Sequence, residues 1–109
     1  MNANGLTPDL LIIKGQNHYR GNIISLFNQF TQGFSQELTI DGLLEPEPTN
    51  VHDPNAVVLK VRGYIVGYIS VECAGRVKAV IGSGAKIECR IIWNRDPVHP
   101  AVSVVVTNW

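Results

Sequence analysis

At 109 residues the chain has room for one domain with a single core and needs no covalent staples. Apolar residues make up 45% and charged residues 17%, which excludes an intrinsically disordered chain. Nine basic residues balance nine acidic ones, which argues against coating nucleic acid by bulk charge but leaves room for a small site gripping one end or junction.

The longest apolar runs, LLII and VSVVV, are too short to cross a bilayer, so no membrane partner is expected. The opening MNANGLTPDL has neither the basic nor the apolar region of a signal peptide, and the expected compartment is the cytoplasm. There Cys73 and Cys89 are expected as buried thiols, not as a bridge.

Residues 1–9 are expected to form a flexible leader and 10–109 a single domain. LLIIKG (10–15) reads as a buried strand. Asn22 is the expected cap of a first helix, on which Ile23, Leu26, Phe27 and Phe30 share one face, and Gly33 would end it. In 37–45, Leu38 and Ile40 alternate with Glu37, Thr39 and Asp41, the period of a strand. The run 56–62 alternates Val57, Leu59 and Val61 with Val58, Lys60 and Arg62; Gly63 marks a tight turn, and 64–70 returns as its hairpin partner. Gly67 within that strand predicts a bulge or a close approach of another backbone. Ser70 is the expected cap of a second helix with Val71, Ala74, Val77 and Ile81 as its apolar stripe, stopped by Gly82-Ser83-Gly84. Two strands follow, 85–93 and 101–109, the first with Ile87, Cys89 and Ile91 facing inward.

The order β-α-β-β-β-α-β-β, with short and mostly antiparallel strands, predicts a mainly β, α+β domain: a small six-stranded OB-like barrel with two helices on its rims. A parallel α/β sheet is excluded because the middle hairpin has no crossover helix.

One loop carries more turn chemistry than a connection needs. EPEPTNVHDPNA (45–56) holds three prolines, three acids, two asparagines and a histidine. A purely structural explanation is available. Pro54 presets the turn, the Asp53 carboxylate accepts a backbone N–H two residues on, Asn50 does the same at the other end, and Pro46 and Pro48 stop the preceding strand.

Its surroundings add to this. GQNHYRG (15–21) forms a G-x-x-H-Y-x-G element, and VGYI (66–69) follows downstream. Between them lie Glu45-Pro46, Asn50, Asp53, Asn55, Ala56 and Val57. Taken in order over residues 10–93, these three elements resemble the HIRAN domain, found in DNA-translocating repair proteins and as stand-alone modules in bacteria and phages. The resemblance implies an OB-like barrel that binds single-stranded DNA, in particular a free 3′ end, in repair or replication-fork processing. It also suggests a helicase or nuclease in trans as a further partner.

Position by position, the resemblance gives Asp53 the role of accepting a hydrogen bond from the 3′-hydroxyl. An ionised carboxylate only accepts, so it favours a hydroxyl and repels a 3′-phosphate. His52 and His18 fall at aromatic stacking positions, and Tyr19 is a further platform. Asn17 stands where an arginine would hold a phosphate and lacks its charge; Arg20 lies three positions on. Tyr68 stands where a histidine occurs, and its hydroxyl is a candidate donor to a phosphate oxygen. Asn50 completes the set.

Other chemistries have less behind them. His18, His52, Asp53 and His99 match no metal-ligand spacing. There is neither a phosphate loop nor a nucleophile elbow, so no enzyme and no cofactor are expected. Tyr64 and Trp93 lie in strands and fit the core as well as they fit a stacking platform. The rival function is a protein-interaction or homo-oligomerisation module without nucleic-acid binding, using exposed strand edges. The discriminating feature is whether Lys14, Arg20, Arg62 and Arg95 gather around Asp53.

Overall fold

The computed structural model describes residues 13–15, 18–30, 37–94 and 101–108. Its elements are β1 (Ile13–Lys14), α1 (Arg20–Phe30), β2 (Glu37–Pro46), β3 (Val57–Val61), β4 (Tyr64–Ile69), α2 (Val71–Ile81), β5 (Ala85–Asn94) and β6 (Ala101–Asn108). The six strands form one antiparallel sheet in the order β1-β4-β3-β2-β5-β6, curled into a nearly closed, OB-like barrel. The expected leader, Asn17, Gly33, Arg95, His99 and Trp109 lie outside the described residues.

Strand alternation builds the core. Leu38, Ile40 and Leu44 of β2, Val57, Leu59 and Val61 of β3, Ile87, Cys89 and Ile91 of β5, and Val104 and Val106 of β6 all turn inward and are buried. Ile23, Leu26 and Phe27 of α1 and Ala74, Val77 and Ile81 of α2 join the same cluster. Phe27 meets the Trp93 ring edge-on, with centroids 5.6 Å apart. Trp93 therefore packs against the core, and Tyr64 does likewise while its hydroxyl accepts from Gln29 Nε2 at 3.0 Å.

Both cysteines are free. Cys73 is half-buried against the core, whereas Cys89 is fully buried with its thiol donating to the Ile40 carbonyl at 3.5 Å. Burial, reinforced by Glu88 and Asp41, pushes the Cys89 thiol up to about 12, so it is a core group and not a nucleophile.

Strand β2 serves two partners. Its residues 37–44 pair with β5 and its residues 43–46 with β3, so the strand bends between them. Near this bend Gly42 sits so close to Ile87, Leu59 and the Lys60 carbonyl that an added Cβ would lie 3.1 Å from each. The β3–β4 hairpin closes through Arg62 (φ 51°) and Gly63 (φ 86°), two left-handed residues in succession, the geometry of a type I′ turn. Arg62 adopts this uncommon conformation without being glycine.

Several expected details differ. α1 begins at Arg20, so Asn22 is inside the helix and not its cap; its side-chain amide instead donates to the Ile65 carbonyl at 2.9 Å and ties α1 to β4. Phe30 is 45% exposed, with the Arg62 guanidinium 5.6 Å from its ring centroid. Ser70 occupies the cap position of α2, but its hydroxyl makes no capping bond. Val71 is 76% exposed and does not belong to the apolar stripe; it lines a cleft instead.

Gly67 fulfils both expectations made for it. The β3–β4 register slips beside it, and β1 crosses directly over it. An alanine Cβ there would stand 2.5 Å from Ile13 Cγ2 and 2.9 Å from the Lys14 carbonyl oxygen. Gly67→Ala is expected to destabilise the fold by about 1–3 kcal/mol in urea denaturation, because the neighbouring backbone must move. Gly21→Ala, whose Cβ would meet nothing within 4 Å on α1, serves as the control and should leave stability unchanged or raise it. Equal midpoints for the two variants would contradict the close approach.

Candidate functional site

The loop after β2 is held by its own side chains. Asn50 Oδ1 accepts the backbone N–H of His52 at 2.9 Å and of Asp53 at 3.1 Å, and Asp53 Oδ1 accepts the N–H of Asn55 at 2.9 Å. Glu47 N–H donates to the Ala56 carbonyl at 2.9 Å, which closes the neck of the loop. Lys78 of α2 donates to the Pro54 carbonyl at 3.1 Å and fastens the far side. The turn chemistry read from EPEPTNVHDPNA is therefore present as expected, at both Asn50 and Asp53.

Glu47, to which the sequence reading gave no role, joins this loop to the barrel. Its Oε1 accepts the Tyr68 hydroxyl at 2.9 Å and the Asn50 side-chain amide at 3.1 Å. Tyr68 also lies beside Tyr19, with ring centroids 6.1 Å apart, and Tyr19 meets His18 edge-on at 5.0 Å. β1 pairs Lys14 with Tyr68. Tyr68 is thus the point at which all three sequence elements touch: the β1–α1 corner through Tyr19, the long loop through Glu47, and its own strand.

Lys14, His18, Tyr19 and Tyr68 line an open cleft of about 410 Å³, completed by Ser70, Val71 and Glu72 at the start of α2. That volume lies within the range of roughly 300–1,000 Å³ usual for ligand sites. The other expected residues stand elsewhere. Arg20 opens α1 and does not line the cleft; Asn50, exposed His52 and half-buried Asp53 sit on the loop and do not line it either. Asp53 has one carboxylate oxygen engaged by Asn55, and no partner for the other is found among the described residues.

The Tyr68 hydroxyl, the expected donor to a phosphate oxygen, donates here to the Glu47 carboxylate. Among the described residues no cation pairs with the Asp53 carboxylate, although Lys78 reaches the neighbouring Pro54 carbonyl. Lys14 lines the cleft, Arg62 stacks on Phe30, and Lys60 forms an ion pair with Glu45 at 3.0 Å. A second, larger concavity of about 850 Å³ lies on the outer face of the bent sheet, between Arg62, Lys60 and Lys86 on one hand and Asp41, Glu45 and Glu88 on the other. Among the described residues, no group of three or more His, Cys, Asp or Glu is placed to hold a metal, and no helix is long and apolar enough to cross a membrane.

Burial, then the carboxylate of Glu47, raises the Tyr68 phenol well above its ordinary value near 10. The sign follows from proton linkage. The folded chain holds this proton more tightly than the unfolded one, so the contribution to stability is complete below pH 10 and is lost as pH rises above it. Absorbance titration should show one tyrosine ionising later than the others. Glu47→Gln should bring it down toward the ordinary range; an unchanged titration would contradict the Tyr68–Glu47 bond. Compared with family models, with curated proteins and with solved structures, the chain matches none.

Proposed function

We propose that this chain is a HIRAN-like module that binds single-stranded DNA at its free 3′ end, in a repair or replication-fork setting. The observation that carries this reading is the junction at Tyr68, where Tyr19 and the Glu47-anchored loop meet beside an open cleft. Tyr19, His18 and Tyr68 supply ring surface on which bases stack without regard to sequence. Lys14 supplies a cation at the same rim. Asp53, held rigidly on the loop with no partner for its second oxygen among the described residues, is the acceptor for the 3′-hydroxyl.

One observation favours the rival, a protein-interaction or homo-oligomerisation module. Arg62 stacks on Phe30 and Lys60 pairs with Glu45, and the balanced charges of the larger concavity suit a protein surface better than a phosphate chain.

Fluorescence anisotropy with short labelled strands in low salt separates the two. Strands ending in a 3′-hydroxyl should bind more tightly than strands ending in a 3′-phosphate or than blunt duplex, with a shallow salt slope because few phosphates are contacted. Asp53→Asn keeps an acceptor for the Asn55 N–H but loses the carboxylate. It should weaken 3′-hydroxyl binding by roughly ten- to a hundredfold and abolish the preference over 3′-phosphate. Absence of strand binding in low salt would sink the DNA reading and leave the protein-interaction one.

A further inference from the structure

The larger concavity has no use in the account of strand binding, and it shares no described lining residue with the cleft. Its charges are not scattered, because the strand register sets them in two rows. Lys60 of β3 and Lys86 of β5 both lie opposite Leu43 of β2, so one lysine stands on each side of it. Two positions along β2, Asp41 lies directly opposite Glu88 of β5. Alternate residues of a strand share a face, so the lysine row and the carboxylate row stand on the same outer face, roughly 7 Å apart.

Each row is costly to the chain alone, since like charges set close together across strands repel. Part of the charge is answered within the fold. Lys60 pairs with Glu45 at 3.0 Å, and the Arg62 guanidinium lies over the Phe30 ring. Asp41 and Lys86 are different: both are exposed, and no hydrogen bond or ion pair to either is found among the described residues. The hollow therefore presents one acid and one base, a row apart, to whatever enters it.

We propose that this concavity docks an extended segment of another protein, one that carries an acidic and a basic side chain two residues apart. The acidic side chain meets Lys86, and the basic one meets Asp41 beside Glu88. The spacing selects this partner. Side chains at i and i+2 of an extended chain also lie roughly 7 Å apart on one face, so a single segment matches both rows at once. A nucleic-acid strand repeats one sign of charge and is repelled by the carboxylate row. A second copy presenting the same hollow fits poorly, because two concave faces leave a void between them and lose the close packing an interface needs. The inference goes beyond the strand reading and needs no DNA at the cleft.

The test selects random octapeptides displayed on phage against the full chain in low salt. Selected peptides are then synthesised with a fluorescent label and measured by anisotropy. They should carry an acidic and a basic residue at i and i+2, and should shift the backbone amide resonances of residues 41–43 and 86–88 in two-dimensional NMR. Both positions to be altered are exposed, so their charges can be reversed without disturbing the core. Asp41→Lys and Lys86→Glu should each weaken these peptides by roughly tenfold. A repeated selection should return peptides with two acids at that spacing for Asp41→Lys, and with two bases for Lys86→Glu.

Selection of no peptide, or of peptides without the paired acid and base, would overturn the proposal. So would binding undiminished by both reversals, or amide shifts confined to the Lys14–Tyr68 cleft. Self-association in sedimentation that Asp41→Lys abolishes would give the face to a second copy. Shifts at 41–43 and 86–88 caused by single-stranded DNA would give it to nucleic acid. Either result overturns the docking of a partner segment.

Discussion

The close passage of β1 over Gly67 is the constraint from which the site follows. β1 can seat on β4 because position 67 carries no side chain there. That seat puts Lys14 opposite Tyr68 and sends the chain round the corner at Gly15, with φ 77°, into His18 and Tyr19. The His18 N–H then donates to the Gly15 carbonyl at 2.9 Å, which fixes the corner. The cleft lies between this corner and the first turn of α2. Filling the groove at Gly67 would move the Lys14 wall of the cleft and not merely loosen the core.

The loop joined to the cleft through Tyr68 is acidic. Glu47 places a carboxylate against the Tyr68 hydroxyl, and Asp53 presents another on the same loop. Two acids on one loop are unsuited to a densely charged strand, and they agree with the chain's zero net charge. What the arrangement offers is shape, ring surface and a few directed hydrogen bonds. Such an arrangement has limited attraction at long range and acts through local contacts.

Much of the fold was legible because its signals are local. Period-two alternation in 37–45 and 56–62, the glycine at 63, and the apolar spacing of Ala74, Val77 and Ile81 each have a short-range cause. The turn bonds of Asn50 and Asp53 span two or three residues, and the residue types alone announce them. The failures share the opposite property. Asn22 precedes an apolar stripe and looks like a cap, but it answers to Ile65, forty-three positions away. Phe30 keeps the spacing of its helix face yet lies past the end of the barrel, beside Arg62. Glu47 was one acid among three in its loop until the fold brought Tyr68 to it from twenty-one positions downstream. Ser70 has the right type and place for a cap, yet its hydroxyl makes no capping bond. Asp53, the residue most strongly marked by its motif, has its turn role visible in the hydrogen bonds, while its role toward a strand awaits the binding assay.

The loop's manner of construction has an evolutionary consequence. Its backbone is fastened through the side chains of Glu47, Asn50 and Asp53 and through the Pro54 carbonyl, whereas Val51, at 90% exposure, and His52 contribute only their main chain. The two tip positions are thereby uncoupled from folding. Substitutions there leave the frame standing and alter only what the tip presents, so selection can vary 51 and 52 without crossing a stability threshold. The loop is a rigid stem with an exchangeable tip, and the same division makes those two codons the natural place to randomise in a library.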